Sequence, residues 1–197
     1  MRLGIACLPA ALLTLFALAG CDRQKADAPQ GAAPAAANAA GNAAASYPTG
    51  RLDRSHAGTI APALNFEDPQ GRPVNLAAFR GRPLLVNFWA TWCGPCVVEM
   101  PSLDRLARRE GESLQVLALS QDRDGRDLVT RFFAERNFAR LEPYLDSEMA
   151  LMVALRIDTL PTTILYDAEG REVWRMTGLA EWHGERAARL LTEAEGG

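Results

Sequence analysis

An apolar run of strand length, PLLVNFWA at residues 83–90, leads directly into two cysteines in the segment TWCGPC, residues 91–96. Such a run predicts a central strand that is covered on both faces of its sheet. From Pro95 to Arg109 the pattern is helical, and one buried stripe would hold Cys96, Met100, Leu103 and Ala107. The cysteine pair is therefore predicted to lie where a buried strand ends and a helix begins.

The rest of the pattern predicts an α/β sandwich around a mixed sheet. Residues 64–76, LNFEDPQGRPVNL, indicate an N-terminal β-hairpin with its turn at Asp68–Gly71. The other predicted elements are strands at 114–120, 162–167 and 171–178 and helices at 125–137, 147–155 and 182–194. An alternation of strands and helices of this kind is typical of helices packed on a sheet.

The first twenty residues are predicted to be an export signal rather than part of the fold. Arg2 supplies a positive start, Leu3–Ala19 is apolar, and the stretch ends in LAGC, Leu18–Cys21. An uncleaved membrane helix is the alternative, but Pro9 and the short length argue against it. LAGC resembles the lipobox of bacterial lipoproteins, which implies that Cys21 is lipidated and becomes the new amino terminus; plain secretion is the alternative.

Residues 21–57 are predicted to form a flexible tether. The stretch is rich in Ala, Pro, Gly and Asn and carries almost no large apolar residue, so it cannot offset the entropy of ordering. A flexible coil of this length spans roughly 30 Å, enough to hold a domain clear of lipid headgroups. The folded domain is accordingly predicted over residues 58–197.

Charge and cysteine content narrow the function. The formal net charge is −3 and no cluster of Lys and Arg stands out, which argues against a nucleic-acid partner. Of the four cysteines, Cys7 lies in the predicted signal and Cys21 would carry lipid. Cys93 and Cys96 can then bond only to each other, to a partner or to a metal.

The predicted position at a helix start favours redox chemistry at the pair. Unpaired backbone N–H groups there stabilise a thiolate, which is the reactive form, so Cys93 is the candidate nucleophile. Pro95 suits the first turn, where a missing N–H is harmless. Cys96, about one turn deeper, could resolve a mixed disulfide, as thiol exchange requires.

The segment VNFWATWCGPCVVEMPSL, residues 86–103, resembles the active-site segment of the thioredoxin superfamily, and more closely its membrane-tethered TlpA/ResA branch. LPTT at 160–163 extends the resemblance. It implies a thioredoxin-like three-layer sandwich and a Cys93–Cys96 disulfide flanked by Trp92, Gly94 and Pro95. It further implies that Trp92 shields the nucleophile and that Pro161 is cis beside it, where it leaves room for substrate backbone.

Two positions distinguish this chain from the cytoplasmic thioredoxins, and one of them matches the TlpA/ResA branch. Those thioredoxins carry a buried Asp where this chain has Asn87, which cannot accept a proton at ordinary pH. The TlpA/ResA branch carries Glu after the second cysteine, and Glu99 matches it. A partly desolvated carboxyl there could exchange protons with a thiol. A surface glutamate without a role is the alternative.

The resemblance implies a thiol–disulfide oxidoreductase without a further cofactor or metal. It implies disulfide-containing client proteins and a membrane electron donor of the DsbD type. Asp22, directly after the lipobox cysteine, resembles the inner-membrane retention signal of Gram-negative lipoproteins, which implies a lipid anchor on the periplasmic face of the inner membrane. The implied direction is reduction, as in cytochrome c or copper-centre maturation. An exported copper-delivery module and a net oxidase remain as alternatives. QDRDG, residues 121–125, resembles part of a calcium loop, but a helix-capping loop is favoured.

Overall fold

A mixed sheet of eight strands forms the middle layer of the domain. The structure is a computed structural model and describes residues 50–194. In chain order the strands are β1 (Arg51–Asp53), β2 (Phe66–Glu67), β3 (Pro73–Val74), β4 (Leu84–Trp89), β5 (Gln115–Ser120), β6 (Tyr144–Leu145), β7 (Thr162–Tyr166) and β8 (Glu172–Thr177). Across the sheet they lie in the order β1-β8-β7-β4-β5-β6-β2-β3.

Helices cover both faces of this sheet. They are α1 (Gly94–Glu110), α2 (Arg126–Arg136), α3 (Ala150–Ala154) and α4 (Glu185–Leu191), with short 3-10 helices at Leu76–Phe79 and Thr192–Ala194. No helix among residues 50–194 is both long and apolar enough to span a bilayer. The predicted three-layer sandwich with a mixed sheet is confirmed.

Strand β4 divides the core because its side chains alternate between the two faces. Leu85 and Trp89 join the apolar cluster formed with α1, α2 and α4, whereas Val86 and Phe88 join the cluster formed with α3. All six residues of β4 are buried, as its apolar sequence predicts. β4 pairs in parallel with β5 and antiparallel with β7, so two buried neighbours fix its position.

The predicted hairpin at the amino-terminal side is confirmed. β2 and β3 pair antiparallel, with Phe66 opposite Val74. The Asp68 carboxylate accepts hydrogen bonds from the backbone N–H groups of Gln70 and Arg72 and so closes the turn. The sheet is extended on this side through β6, a two-residue strand that the sequence analysis did not predict.

The opposite edge carries a strand inside the segment predicted as tether. β1 pairs antiparallel with β8, and Leu52 packs against the core cluster that contains α1. Residues 51–53 therefore belong to the sheet, although the segment up to residue 57 was predicted as tether. A strand of three residues with one apolar side chain leaves no periodicity to detect. The predicted signal 1–20, Cys21 and residues 22–49 lie outside the described residues.

Two predicted helices begin later than expected, each for a local reason. The chain is left-handed at Met149, with φ 55°, so α3 starts at Ala150 rather than at 147. Trp182 is buried and stacked on Trp174, with ring centroids 6.4 Å apart, so α4 begins only after Gly184. Trp182 was predicted to begin the helix, but it instead fills the core just before the helix starts.

A buried ion pair joins β8 to the end of α3. Arg175 donates two hydrogen bonds to the Glu172 carboxylate, at 2.6 and 2.7 Å, and a third to the backbone oxygen of Leu155 at 2.8 Å. Arg175 and Glu172 are 7% and 2% exposed. Leu155 is followed by the loop that leads to Pro161, so this pair holds the start of that loop.

Candidate active site

Cys93 and Cys96 lie at the first turn of α1 and are joined by a disulfide, with their Cα atoms 5.3 Å apart. Cys93 is the N-cap residue, and its Sγ accepts a hydrogen bond from the backbone N–H of Cys96 at 3.3 Å. Cys93 is 5% exposed and Cys96 is fully buried. The positive end of the helix would stabilise a thiolate at Cys93 once the bond is opened.

The residues beside the pair are more exposed than the sulfurs. Gly94 and Pro95 are exposed, and proline stands within the first two positions of the helix, where no intrahelical N–H is needed. Trp92, expected to shield the nucleophile, is 70% exposed. Most of its ring therefore lies in solvent, next to the pair along the chain.

The loop before Cys93 is held by a buried carboxylate that the sequence analysis did not assign. Asp122 is 1% exposed and accepts hydrogen bonds from the backbone N–H and the hydroxyl of Thr91 and from the Ser120 hydroxyl. QDRDG supplies the N-cap residue of α2, Gly125, but no side-chain hydrogen bond caps the helix there. Asp122 instead links the end of β5 to the turn before the cysteines.

Pro161 lies at the same end of the sheet as the cysteines. The Leu160–Pro161 peptide bond is cis. Thr162 of β7 stands opposite Phe88 of β4, so Pro161 falls beside the end of β4, from which the chain leads to Cys93. Pro161 itself is buried, and its backbone oxygen accepts a hydrogen bond from the N–H of Gly178 at 2.8 Å.

Glu99 is buried inside the domain, not on its surface. Its exposed fraction is 2%, so the alternative of a surface glutamate is wrong. Burial raises its pKa from 4.5 to about 7, although hydrogen bonds from the Ala180 N–H and the Asn87 amide oppose this shift. Glu99 follows Cys96 on α1 at the i, i+3 spacing that brings side chains together on one helix face.

Asn87 connects this carboxyl to the strand that follows Pro161. Its Nδ2 donates to Glu99 Oε1 at 2.6 Å and to the Thr163 hydroxyl at 2.9 Å. From the sequence, Asn87 stands out only as the position where cytoplasmic thioredoxins carry an acid. The available signal was an amide within an otherwise apolar strand, since a buried polar side chain requires a partner.

Neither histidine of the chain is buried with the cysteines. His183 is exposed and pairs with Glu181, and His56 is partly exposed beyond β1. Within residues 50–194 no three or more His, Cys, Asp or Glu side chains are grouped so as to hold a metal ion. Cys21, the predicted lipidation site, lies outside the described residues.

The sequence matches known proteins over this same domain. Residues 56–191 match the Redoxin family. The thiol-disulfide oxidoreductase ResA of Geobacillus thermodenitrificans is 32% identical over 122 residues, which cover 61% of this chain and 69% of that protein. ResA of Bacillus thuringiensis is 28% identical over 127 residues, which cover 64% of this chain and 72% of that protein.

A solved structure supports the fold. The crystal structure of a thiol:disulfide interchange protein assigned as DsbE, from Chlorobium tepidum, aligns with a TM-score of 0.63 at 22% identity, over 71% of this chain and 98% of that one. At this identity the likeness shows the fold alone. Taken with the sequence matches, these findings show that the chain belongs to the Redoxin family, as a thiol-disulfide oxidoreductase of the ResA/TlpA type with a thioredoxin-like fold.

Proposed function

We propose that this oxidoreductase works as a reductase of disulfides in exported client proteins, with Cys93 as nucleophile, Cys96 as resolving thiol and Glu99 as proton acceptor. One observation carries the assignment of roles: a disulfide at a helix start, with a buried carboxyl following Cys96 on the same helix. A client can reach the less buried Cys93 sulfur, whereas the fully buried Cys96 sulfur can react only with Cys93.

The proposed reaction has two exchange steps. The Cys93 thiolate attacks one sulfur of the client disulfide, which breaks that bond, forms a mixed disulfide and releases the other client sulfur as a thiolate. Cys96 then gives its proton to Glu99 and attacks Cys93 Sγ. The mixed disulfide breaks, the second client sulfur leaves as a thiolate, and the Cys93–Cys96 bond is formed. The leaving thiolates take protons from water or from Glu99.

Proton transfer to Glu99 is supported by its environment. A carboxyl with a pKa near 7 can accept and return a proton at neutral pH, whereas an ordinary glutamate remains ionised there. The Ala180 N–H and the Asn87 amide stabilise the ionised form, and the surrounding apolar core stabilises the neutral form. Glu99 can therefore be present in both its ionised and its neutral form near pH 7.

Each turnover leaves the enzyme oxidised, so two electrons and two protons must return. We propose a membrane dithiol protein of the DsbD type as their source, because an exported protein has no access to the cytosolic thiol pool. The proposed location is the periplasmic face of the inner membrane, with Cys21 as the lipidated anchor. This location is supported by the apolar run and LAGC at residues 3–21. Proposed clients are proteins of cytochrome c or copper-centre maturation.

A redox titration of residues 22–197 against dithiothreitol or glutathione tests the direction. A potential close to that of thioredoxin, about −270 mV, supports a reductase, and one near about −120 mV would make the protein a net oxidase. A competitive Cu(I) titration of the reduced protein addresses copper delivery. Copper binding that withstands strong chelators, together with negligible disulfide reduction, would replace our proposal by that alternative.

A further inference from the structure

We infer that Asn87 is a positioning residue that holds Glu99 in both of its protonation states by turning over its side-chain amide. The inference deepens the proposed function, because it rests on Glu99 exchanging a proton with the dithiol. In this proposal Asn87 contacts neither cysteine sulfur and acts only through Glu99.

The surroundings of Asn87 allow few other partners. Asn87 lies in the middle of β4, is fully buried, and points to the same face as Leu85 and Trp89. Its Nδ2 donates both to Glu99 Oε1, at 2.6 Å, and to Thr163 Oγ1, at 2.9 Å. Its Oδ1 is buried and accepts no hydrogen bond from the described residues.

The unpaired Oδ1 points to a second orientation. Leaving a buried amide oxygen without a donor is unfavourable, and such groups in native proteins call for an explanation. A half-turn about the last side-chain bond exchanges the nitrogen and the oxygen with almost no change in shape. The oxygen would then face Glu99 and Thr163, and both could donate to it through their O–H groups.

Each orientation suits one state of Glu99. An ionised carboxylate has no proton and needs a donor, which Nδ2 supplies. A protonated carboxyl has an O–H that needs an acceptor, which Oδ1 supplies after the turn. The distance of 2.6 Å is short for N–H···O and ordinary for O–H···O, so the spacing fits both arrangements without backbone movement.

The other groups that face Glu99 do not replace this function. The Ala180 N–H donates to Oε2 and cannot accept a proton. The Trp182 indole N–H, which has no hydrogen-bond partner among residues 50–194, favours the ionised form, and the Glu181 charge favours the neutral form. Cys96 is the neighbouring group on α1 that would exchange the proton. Asn87 alone among these side chains offers both a donor and an acceptor.

The test is an NMR titration of the oxidised protein, residues 22–197, from pH 5 to 9. We expect the Asn87 side-chain amide signals to move with the same midpoint as the Glu99 carboxyl carbon. Contacts between the Asn87 amide protons and the Thr163 methyl group should be present above the midpoint and lost below it. In Glu99→Gln the Asn87 signals should show no such midpoint.

Variants provide the second readout. Asn87→Ala removes the donor to the carboxylate, so the Glu99 midpoint should rise by about one pH unit. Thr163→Val keeps that donor and serves as the matched control, for which a much smaller shift is expected. The rate of disulfide reduction by Asn87→Ala should then be lowered at pH 7 and recover at pH 9.

Two results would overturn the inference. In one, Glu99 titrates while the Asn87 amide signals stay fixed; in the other, Asn87→Ala leaves the Glu99 midpoint in place. The wild-type titration needs no variant to fold. It is also independent of the redox potential, so the direction of catalysis can prove wrong while the positioning function stands, and the reverse.

Discussion

The Asp122 carboxylate accepts two hydrogen bonds from Thr91, one from its hydroxyl at 2.6 Å and one from its backbone N–H at 3.0 Å. Thr91 lies two positions before the first active-site cysteine. Ser120 completes the arrangement by donating to Asp122 Oδ2 at 2.6 Å. Burying a carboxylate is costly unless donors compensate for the lost water, and Thr91 and Ser120 supply these donors. The turn that delivers Cys93 is therefore fixed from the neighbouring strand β5.

Asp122→Ala should loosen this turn. It leaves the Thr91 N–H and two hydroxyls without their acceptor, and we expect a loss of about 2–3 kcal/mol in the free energy of unfolding and a slower disulfide exchange. Urea unfolding and a disulfide-reduction assay measure both effects. Asp124→Ala, at an exposed neighbour, is the control. Equal stability and rate for the two variants would contradict a role for Asp122 in holding the turn.

The two cysteines should behave differently when replaced. Cys96→Ser keeps the nucleophile and removes the resolving thiol, so mixed disulfides with client proteins should accumulate. Cys93→Ser should trap none, because the remaining sulfur is fully buried. Non-reducing electrophoresis of cells that express each variant is the measurement. Trapping by Cys93→Ser alone would reverse the assigned roles.

Glu99 should make stability depend on pH. The unfolded chain loses this proton near pH 4.5, whereas the folded chain keeps it to about pH 7, so the folded state binds more protons in between. The free energy of unfolding should therefore fall as the pH rises through this window, by up to about 3 kcal/mol relative to Glu99→Gln. Urea unfolding of both proteins at pH 4.5 and pH 8 checks this. A difference that is constant with pH would show that Glu99 titrates normally.

The rate of disulfide exchange should also depend on Glu99, but it should rise rather than fall as the pH increases. Above pH 7 ionised Glu99 can accept the Cys96 proton, so the rate of resolution should rise through this region in the parent. In Glu99→Gln the step near pH 7 should disappear and leave only the titration of the thiols. Stopped-flow measurement of mixed-disulfide decay follows this step directly. Superimposable profiles would remove Glu99 from the reaction.

Replacing Arg175 alone should lower the free energy of unfolding more than replacing both Arg175 and Glu172. Arg175→Met leaves the Glu172 carboxylate buried without its partner, and we expect a loss of about 3–5 kcal/mol in the free energy of unfolding. The double variant Arg175→Met/Glu172→Met should recover most of that loss. Denaturant unfolding of the three proteins measures the difference. Strictly additive losses would show that the two residues are not energetically coupled.

Cys21→Ala tests the proposed anchor. Two acyl chains hold a protein firmly on a membrane, whereas a single chain holds it only marginally. We expect the wild-type protein in the membrane fraction and the variant in the soluble exported fraction, with disulfide reduction by the purified proteins unchanged. Recovery of the wild-type protein wholly in the soluble exported fraction would contradict lipidation.

The core of the fold and the cysteine segment could be predicted because their signals are local and strong. The run at 83–90 and the helical stripe after Pro95 each span enough residues to define a period, and both elements formed where expected. β1 and β6 could not be predicted in this way, since strands of two or three residues carry no pattern. They exist because a longer strand lies beside them to pair with.

The supporting residues of the site depend on contacts between distant parts of the chain. Glu99 could be proposed from its helical spacing and from resemblance, but its burial required the segment at Ala180 to close over it. Asp122 could not be assigned from its local neighbours, because its main partner is Thr91 on another loop. A polar residue that directly follows a buried strand deserves to be tested against such distant partners.

Both edge strands of the sheet, β1 and β3, are poorly suited to pair with a further strand. At one edge β1 is only three residues long and carries Arg51 and Asp53, and residues 58–60 pair with Arg171 and Glu172 at the start of β8. At the other, β3 has two residues, one of which is Pro73 and has no N–H to offer. Short, charged or proline-bearing margins discourage copies of a protein from aggregating edge to edge. We therefore expect an extended client to bind at the Pro161 end of the sheet rather than at either edge, and separate copies of the protein not to pair edge to edge.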